Sequence, residues 1–172
     1  KQHANYNGVF AAVRILQDST IELLTDAFGI SPLYYRMYSD VLLFSTNSRF
    51  LNIENDKTDR IAAKILIQCG SVYGNRTLTE NIFRLHAGQI KRFSNNGENE
   101  ERWFDFSRLA TGSKNVNKRT LTDIEDAFQE SMQRCLKLPT KQYMLPLSSG
   151  YDSRRILASL HSHKVPFRST TV

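Results

Sequence analysis

The feature that most constrains the fold is a change of hydrophobic pattern within residues 142–172. The apolar segment QYMLPL is followed by SSGYD, then by SRRILASLHSH with apolar residues at helical spacing, and then by the extended segment PFRSTTV. Strand, helix and strand in this order make a βαβ unit, because two parallel strands need a long crossover connection. The sequence therefore predicts a parallel strand pair with the small residues in its first strand-to-helix turn.

This strand-to-helix turn is the candidate functional site. The first N–H groups of a helix point at one spot after such a turn, and the helix dipole adds positive potential there. The hydroxyls of Ser148, Ser149 and Ser153 supply further donors, and Gly150 permits close approach or a positive φ. We therefore predict a phosphate-binding turn, although serine, glycine and aspartate are also common in ordinary turns.

Asp152 is the one carboxylate in the turn, and it needs its own explanation. A carboxylate beside phosphates is repelled unless a cation lies between them, so Asp152 indicates either Mg²⁺ bound to a pyrophosphate or a helix cap. The chain has neither GxxxxGK[ST] nor GxGxxG. This disfavours a P-loop or a dinucleotide-binding site.

The residues before this unit predict a different class of structure. Short strand-like runs in residues 8–46, separated by the turn signals QDS, FGISP and SD, predict an antiparallel meander. The segment DRIAAKILIQC predicts a helix capped by Asp59, with Ile61, Ile65 and Leu66 on one face. NNGE predicts a hairpin turn between QIKRF and RWFDF.

Residues 107–120 lack hydrophobic periodicity, and we place a domain boundary there. The following segment, LTDIEDAFQESMQRCL, predicts a helix with Thr120 or Thr122 as its cap. The predicted fold is α+β followed by α/β. The predicted domains are residues 1–106 and 120–172, joined by a linker at 107–119.

Composition excludes several classes of protein. The 172 residues are 40% hydrophobic and carry a net charge of +6. The apolar runs are shorter than the roughly 20 residues of a membrane span, and no signal segment opens the chain, so we expect a cytoplasmic protein without a membrane partner. Basic residues are scattered and not interleaved with aromatic ones, so we expect no nucleic-acid partner. Cys69 and Cys135 lack CxxC spacing, which predicts buried thiols and neither a metal site nor a disulfide.

The motifs together resemble one known family. LSSGYDSR resembles the S-G-G-x-D-S pyrophosphate loop of the ATP pyrophosphatases, and with its trailing arginine it is similar to the asparagine synthetase branch. NGVFAAVRILQDSTIELLTDAFGISPLYY resembles a Gly-x-Phe-Ala strand leading into the Arg-Asp-x-x-Gly-x-x-Pro-Leu-Tyr-Tyr pair of the glutaminase domain. LLFSTNSRFL, GNRTLTENIFRLHAGQI and RWFDF are similar, in order, to later segments of that domain. The likeness therefore extends through nearly the whole chain.

The resemblance implies a fold and an activity. It implies the end of an Ntn-type class II glutaminase domain with an antiparallel sheet, followed by the first βαβ of a PP-loop ATP-pyrophosphatase domain. The parent would be a carbon–nitrogen ligase of asparagine biosynthesis that adenylates a carboxylate, by default that of aspartate, and amidates it with ammonia from glutamine. Its substrates would be glutamine, ATP and the carboxylate, with Mg²⁺ as metal; the acceptor and a homodimeric state stay open.

The resemblance also assigns site residues. Arg154 and Arg155 are within reach of a phosphate, with Arg155 expected to face solvent. Asp152 would be the metal ligand. The ATP-binding residues would be Leu147, Ser148, Ser149, Gly150, Tyr151, Asp152 and Ser153.

Three departures from the family pattern qualify these assignments. Ser149 replaces the first glycine of the loop, and whether this impairs ATP binding stays open. Thr25 stands where many members have arginine before Asp26. The family's nucleophile is an N-terminal cysteine, whereas this chain starts with Lys1, and neither Cys69 nor Cys135 aligns with that nucleophile. We therefore expect an internal fragment, inactive alone and without a catalytic residue.

Two alternative functions remain open at this point. The first is a cyclase of the β-lactam synthetase type, which closes an intramolecular amide and has no glutaminase activity. The second is a non-enzymatic interaction module in which Ser149 marks a decayed ATP site.

Overall fold

The computed structural model describes residues 8–108, 118–140 and 142–171. The chain divides into two compact units, Lys1–Thr111 and Gly112–Val172, and each is described by itself. Most of the predicted linker, residues 109–117, lies outside the described residues.

The described part of the first unit is built mainly of β-strands. A 3₁₀ helix spans Ser48–Leu51, another spans Phe106–Arg108, and helix α1 spans Arg60–Cys69. The strands are β1 (Ala11–Ile15), β2 (Ile21–Thr25), β3 (Tyr34–Tyr38), β4 (Val41–Ser45), β5 (Phe83–Arg84), β6 (Gln89–Ser94) and β7 (Gly97–Arg102).

These strands form two antiparallel sheets. One sheet has the order β1-β2-β6-β7, and the other has the order β4-β3-β5. The buried core draws side chains from both sheets and from the loops beside them: Leu23, Leu33, Tyr35, Leu85 and Phe93. The antiparallel class predicted for this part of the chain is therefore confirmed.

The prediction of one continuous meander over residues 8–46 is wrong. Strands β2 and β3 follow each other in the chain but belong to different sheets. Between them the buried Asp26 carboxylate accepts hydrogen bonds from the N–H groups of Phe28 (3.0 Å), Ile30 (3.2 Å) and Ser31 (3.0 Å). These bonds fold the segment into a turn, with Gly29 at φ +62°, and take it out of the first sheet.

The predicted hairpin is present, but its second strand starts earlier than expected. Ser94 pairs with Gly97, so β7 comprises GENEER and not RWFDF. Gly97 adopts φ +113°, which lets the turn close within two residues. Trp103 leaves the strand because its N–H bonds the carbonyl of Gly88 at 2.9 Å and its indole N–H bonds the carbonyl of Thr25 at 3.0 Å.

Helix α1 has the predicted boundaries. The Asp59 carboxylate accepts hydrogen bonds from the N–H groups of Ile61 (2.9 Å) and Ala62 (3.0 Å), and Gly70 ends the helix in the left-handed conformation. The predicted apolar face is only partly correct. Ala62 is the residue buried in this helix, Ile65 and Leu66 are half-buried, and Ile61 is 54% exposed.

An ion-pair ladder crosses the first sheet. The Glu22 side chain is 2% exposed and accepts hydrogen bonds from Arg14 Nε (2.5 Å) on β1 and Arg92 Nε (2.7 Å) on β6. Arg92 continues the ladder to Glu101 on β7 at 3.0 Å. Burial alone would raise the pKa of Glu22, but the hydrogen bonds from Arg92 and Arg14 outweigh it and hold this pKa below its usual value.

The second unit contains helix α2 (Lys118–Leu136), strand β8 (Tyr143–Leu147), helix α3 (Tyr151–Ser162) and strand β9 (Phe167–Thr171). Strands β8 and β9 pair in parallel, as the hydrophobic pattern predicts. The predicted cap of α2 is wrong. Thr120 and Thr122 lie inside the helix, and the Thr122 hydroxyl donates to the carbonyl of Lys118 at 3.1 Å.

The expectation of buried thiols is also wrong, because Cys69 and Cys135 are both exposed. Cys69 is the last residue of α1 and Cys135 is the second-last residue of α2, so both lie at helix ends.

Glu22→Gln is expected to lower the free energy of unfolding of the first unit by about 2–3 kcal/mol, since two charge-assisted hydrogen bonds to a buried group are weakened. The folded-state pKa of Glu22 is lowered, so its contribution is present above the usual value of 4.5 and is lost as pH falls through the lowered pKa. The difference between wild type and variant should therefore shrink in acid. Urea unfolding followed by Trp103, the one tryptophan of the sequence, measures this unit.

The matched control is Glu101→Gln at the exposed end of the same ladder. Its side chain is about half exposed, so the substitution should cost less than about 1 kcal/mol at any pH. Equal losses for the two variants would contradict the importance assigned to burial of Glu22.

Candidate functional site

The parallel strand pair positions the predicted turn. Strand β8 ends at Leu147, which pairs with Thr171 of β9, and helix α3 starts at Tyr151. Residues 148–150 therefore connect the carboxyl end of a parallel strand to the N-terminus of a helix. Ligands of parallel sheets bind at such an edge.

Two of the three predicted phosphate donors bind each other. The hydroxyl oxygens of Ser148 and Ser153 lie 3.0 Å apart, and the buried Ser153 hydroxyl accepts a hydrogen bond from the Ser148 N–H at 3.2 Å. The Ser153 hydroxyl proton is within reach of the carbonyls of Ser148 (3.1 Å) and Gly150 (3.3 Å). These bonds hold the turn in one conformation, so both hydroxyls stabilise the turn itself.

Gly150 lies directly before helix α3. It is the N-cap of α3 at φ −73°, so the predicted option of a positive φ is wrong. A Cβ at this position would lie 3.2 Å from the Ser148 hydroxyl oxygen, so a larger residue would require this hydroxyl to move by a few tenths of an ångström. The Gly150 N–H also donates to that oxygen at 3.2 Å, which ties glycine and serine together.

The start of α3 has no side-chain cap. Gly150 offers none, and Asp152 lies in the first helical turn and not at the cap position. Of the two roles open for Asp152, the cap is therefore excluded. Its carboxylate is exposed and has no hydrogen bond or ion pair within the described part of the chain. Ser149 is exposed as well.

The first N–H groups of α3 therefore keep their hydrogen-bonding capacity. The first four N–H groups of a helix have no acceptor within the helix, and a side-chain cap normally satisfies one of them. Here that cap is missing, so the N–H groups at the start of α3 and the helix dipole face the open end of the turn.

The two arginines after the turn are both held by the second unit. The Arg154 guanidinium lies over the ring of Tyr151, 4.5 Å from its centroid, and Arg154 Nε donates to the Gly150 carbonyl at 3.2 Å. Arg155 bonds Glu125 of α2 at 2.5 Å and stacks on Phe128 at 4.3 Å. Arg155 is 44% exposed, as expected, and its charge pairs with the exposed Glu125 of α2.

The family-like segment of the first unit builds a structural turn. Thr25, which replaces the usual arginine, is fully buried and donates its hydroxyl to the carbonyl of His86 at 2.5 Å. Burial alone would raise the pKa of the neighbouring Asp26, but the backbone N–H bonds outweigh it and hold this pKa below its usual value. Asp26 is thus a charged structural residue without an exposed reactive oxygen.

The described residues contain neither a metal-binding cluster nor a membrane-spanning helix. No group of three or more histidine, cysteine, aspartate or glutamate side chains in these residues is arranged to hold a metal ion. None of the described helices is both long enough and apolar enough to cross a membrane.

These features define a mixed α/β chain, with an antiparallel β unit followed in sequence by a unit that contains one parallel strand pair. A family model described as the glutamine amidotransferase domain matches residues 1–104, which is more than half of the chain. The chain therefore belongs to the glutamine amidotransferase domain family. No curated protein sequence matches it at a significant level.

Among solved structures, the chain is similar to glutamine phosphoribosylpyrophosphate (PRPP) amidotransferase from B. subtilis, complexed with ADP and GMP. The identity is 10%, and the TM-score is 0.34. The match covers 94% of this chain and 32% of that one, so the chain spans about a third of the length of that structure.

Ser153→Ala is expected to loosen the turn, since it leaves the Ser148 N–H without its acceptor. Loss of such a bond costs about 1–2 kcal/mol. Amide hydrogen exchange of Ser148 and Gly150 should accelerate by about tenfold or more. The control is Ser149→Ala, which removes an exposed hydroxyl without a partner in the described residues and should leave both rates unchanged. Unchanged exchange in Ser153→Ala would show that the hydroxyl pair does not hold the turn.

Proposed function

We propose that the chain is part of an ATP-dependent amidotransferase of the asparagine synthase type. This enzyme adenylates a carboxylate, by default that of aspartate, and amidates it with ammonia from glutamine. The observation that carries the proposal is the order of the two units. A glutamine amidotransferase match at residues 1–104 is followed by a parallel strand, a serine-rich turn and an uncapped helix. Residues 1–106 would be the end of the glutaminase domain and residues 120–172 the start of the PP-loop domain.

The chemistry of the turn fits the polyphosphate of ATP. Backbone N–H groups at a helix start are the usual donors to phosphate oxygens, and those of Tyr151 and Asp152 have no side-chain cap competing for them. The exposed Ser149 hydroxyl is one further donor on the open side of the turn. We therefore propose ATP contacts from residues 147–153, with Ser148 and Ser153 acting mainly by holding the turn.

Asp152 would hold the metal. Its carboxylate is exposed beside donors that attract anions, and it neither caps the helix nor pairs with a cation in the described residues. Oxygen ligands of this kind suit Mg²⁺, which supplies positive charge to phosphate oxygens when bound.

The proposed reaction consists of two group transfers, adenylation of the carboxylate and its amidation. A carboxylate oxygen of the acceptor bonds the α-phosphorus of ATP as the bond to pyrophosphate breaks, and pyrophosphate leaves with the electron pair. Ammonia then bonds the acyl carbon, AMP leaves, and the nitrogen loses a proton. The donors of the turn would stabilise charge on the departing pyrophosphate, where it develops.

Glutamine hydrolysis would belong to residues that this sequence does not contain. The family resemblance assigns it to an N-terminal cysteine, so we propose no catalytic residue among the 172 positions. Ser149 is the observation that favours the interaction module with a decayed ATP site. Titration of the full-length protein with ATP and Mg²⁺ distinguishes the two functions, since a decayed site binds neither.

Asp152→Asn in the full-length enzyme is expected to slow ATP–pyrophosphate exchange by about 10²–10³-fold, the usual cost of removing one group that stabilises transition-state charge. Asparagine keeps the size of the side chain and removes only its charge. Because Asp152 caps nothing, the loss of stability should be limited to its favourable interaction with the helix dipole, about 0.3–1 kcal/mol. Exchange of labelled pyrophosphate and the thermal midpoint are the two measurements.

The matched control is Asp126→Asn, which removes an equal charge from the exposed surface of α2. It should leave exchange within about twofold of wild type. Near-normal exchange in Asp152→Asn, with MgATP still bound, would remove Asp152 from the proposed metal site.

A further inference from the structure

A cleft of about 510 Å³ opens on the first unit. Its described lining includes three arginines, Arg49, Arg76 and Arg84, and the polar side chains of Ser48, Asn52 and Ser71. The arginines come from the 3₁₀ helix at Ser48–Leu51, from the segment after α1 and from β5. A volume of this size suits a small metabolite and exceeds what a lone phosphate ion fills.

The charge of this arginine cleft is largely uncompensated. None of the described residues that line it carries a carboxylate. Arg76 is neutralised by Asp59 at 2.6 Å, and Arg84 donates to the uncharged carbonyl of Gly29 at 3.1 Å. The Arg49 guanidinium has no hydrogen bond or ion pair within the described part of the chain. Two positive charges therefore face the cleft, where concave walls strengthen their field.

The lining is held in place by bonds that leave ligand-binding groups unused. The backbone N–H of Arg49 donates to Asn47 Oδ1 at 3.0 Å, and Asn47 thereby caps the 3₁₀ helix that carries Arg49. The carbonyl of Gly29 orients the Arg84 side chain. The Thr77 hydroxyl is engaged by the carbonyls of Thr79 and Ile82, both at 2.9 Å. The hydroxyls of Ser48 and Ser71 make no such bond among the described residues, so they add donors beside the arginines.

We propose that the arginine cleft binds a small phosphorylated metabolite, whose phosphate monoester pairs with Arg49 and Arg84. A phosphate dianion matches two guanidinium charges and accepts several hydrogen bonds from different directions, whereas one arginine already satisfies a planar carboxylate. The uncharged body of the ligand would occupy the remaining volume beside Ser48, Asn52 and Ser71. All residues of this cleft belong to the first unit, whereas the proposed ATP-binding turn belongs to the second.

The experiment is calorimetric titration of the protein with glucose 6-phosphate as the probe. Arg49→Gln removes a guanidinium that makes no other hydrogen bond or ion pair within the described residues, and it should weaken binding by about tenfold or more, because charge-assisted hydrogen bonds to the phosphate are lost. Arg84→Gln should weaken binding to a similar extent. The control, Arg102→Gln, removes an equal charge from β7 outside the cleft and should change the Kd by less than about twofold.

Three further titrations decide the ligand class. Glucose should not bind, binding of glucose 6-phosphate should weaken as salt is added, and succinate should bind at least about tenfold more weakly. Succinate binding as tightly as the phosphate would overturn the proposal in favour of a carboxylate site. Binding that Arg49→Gln leaves unchanged places the phosphate elsewhere, including at the turn of the second unit, and also overturns it. The same holds if the probe does not bind.

Discussion

The buried Asp26 carboxylate determines where the chain leaves the first sheet. A fully buried charge is costly unless hydrogen bonds compensate it, and here the N–H groups of Phe28, Ile30 and Ser31 do so. The backbone of Asp26 adds a bond from its N–H to the Phe10 carbonyl (3.0 Å), and its carbonyl accepts from the Gly88 N–H (2.8 Å). Without this turn, the chain after β2 would not be directed into the second sheet, and the core to which both sheets contribute would not form.

A second constraint acts on the same region at Gly88, which is hydrogen-bonded to Asp26. Gly88 adopts φ +60°, and a Cβ there would lie 2.5 Å from the carbonyl oxygen of Phe104. A larger residue is excluded twice, by conformation and by space. This close approach lets Trp103 reach the Thr25 carbonyl with its indole N–H. The family-like motifs near residues 26 and 88 are thus parts of one structural joint, although more than 60 residues separate them.

Features with local causes could be predicted from the sequence. Asp59 and Gly70 mark the ends of α1 because a cap and a left-handed terminus each depend on adjacent residues. The parallel pair of β8 and β9 follows from the strand–helix–strand pattern in the same way. The division of β2 and β3 between two sheets could not be predicted, since it depends on contacts between distant segments.

The same distinction applies to the candidate sites. The composition of the turn indicated a place for phosphate, but nothing local showed that Ser148 and Ser153 bond each other or that Arg155 pairs with Glu125, 30 positions earlier. The arginine cleft gave no signal in the sequence, because Arg49, Arg76 and Arg84 share no motif and only the fold assembles them.

The hydrogen bonds within the turn explain which property the serine at position 149 can alter, where the resembled loop has glycine. With Ser148 and Ser153 engaged, the groups left to meet a ligand are the N–H groups at the start of α3 and the exposed Ser149 side chain. The S-G-G-x-D-S loop that this turn resembles has its first glycine at this position, so the difference falls on the exposed face and not on the bonds that hold the turn. If the proposed ATP site is present, Ser149 would change the approach of a phosphate while the turn keeps its conformation. Ligand affinity at this site can change while the fold stays intact, because different residues determine the two properties.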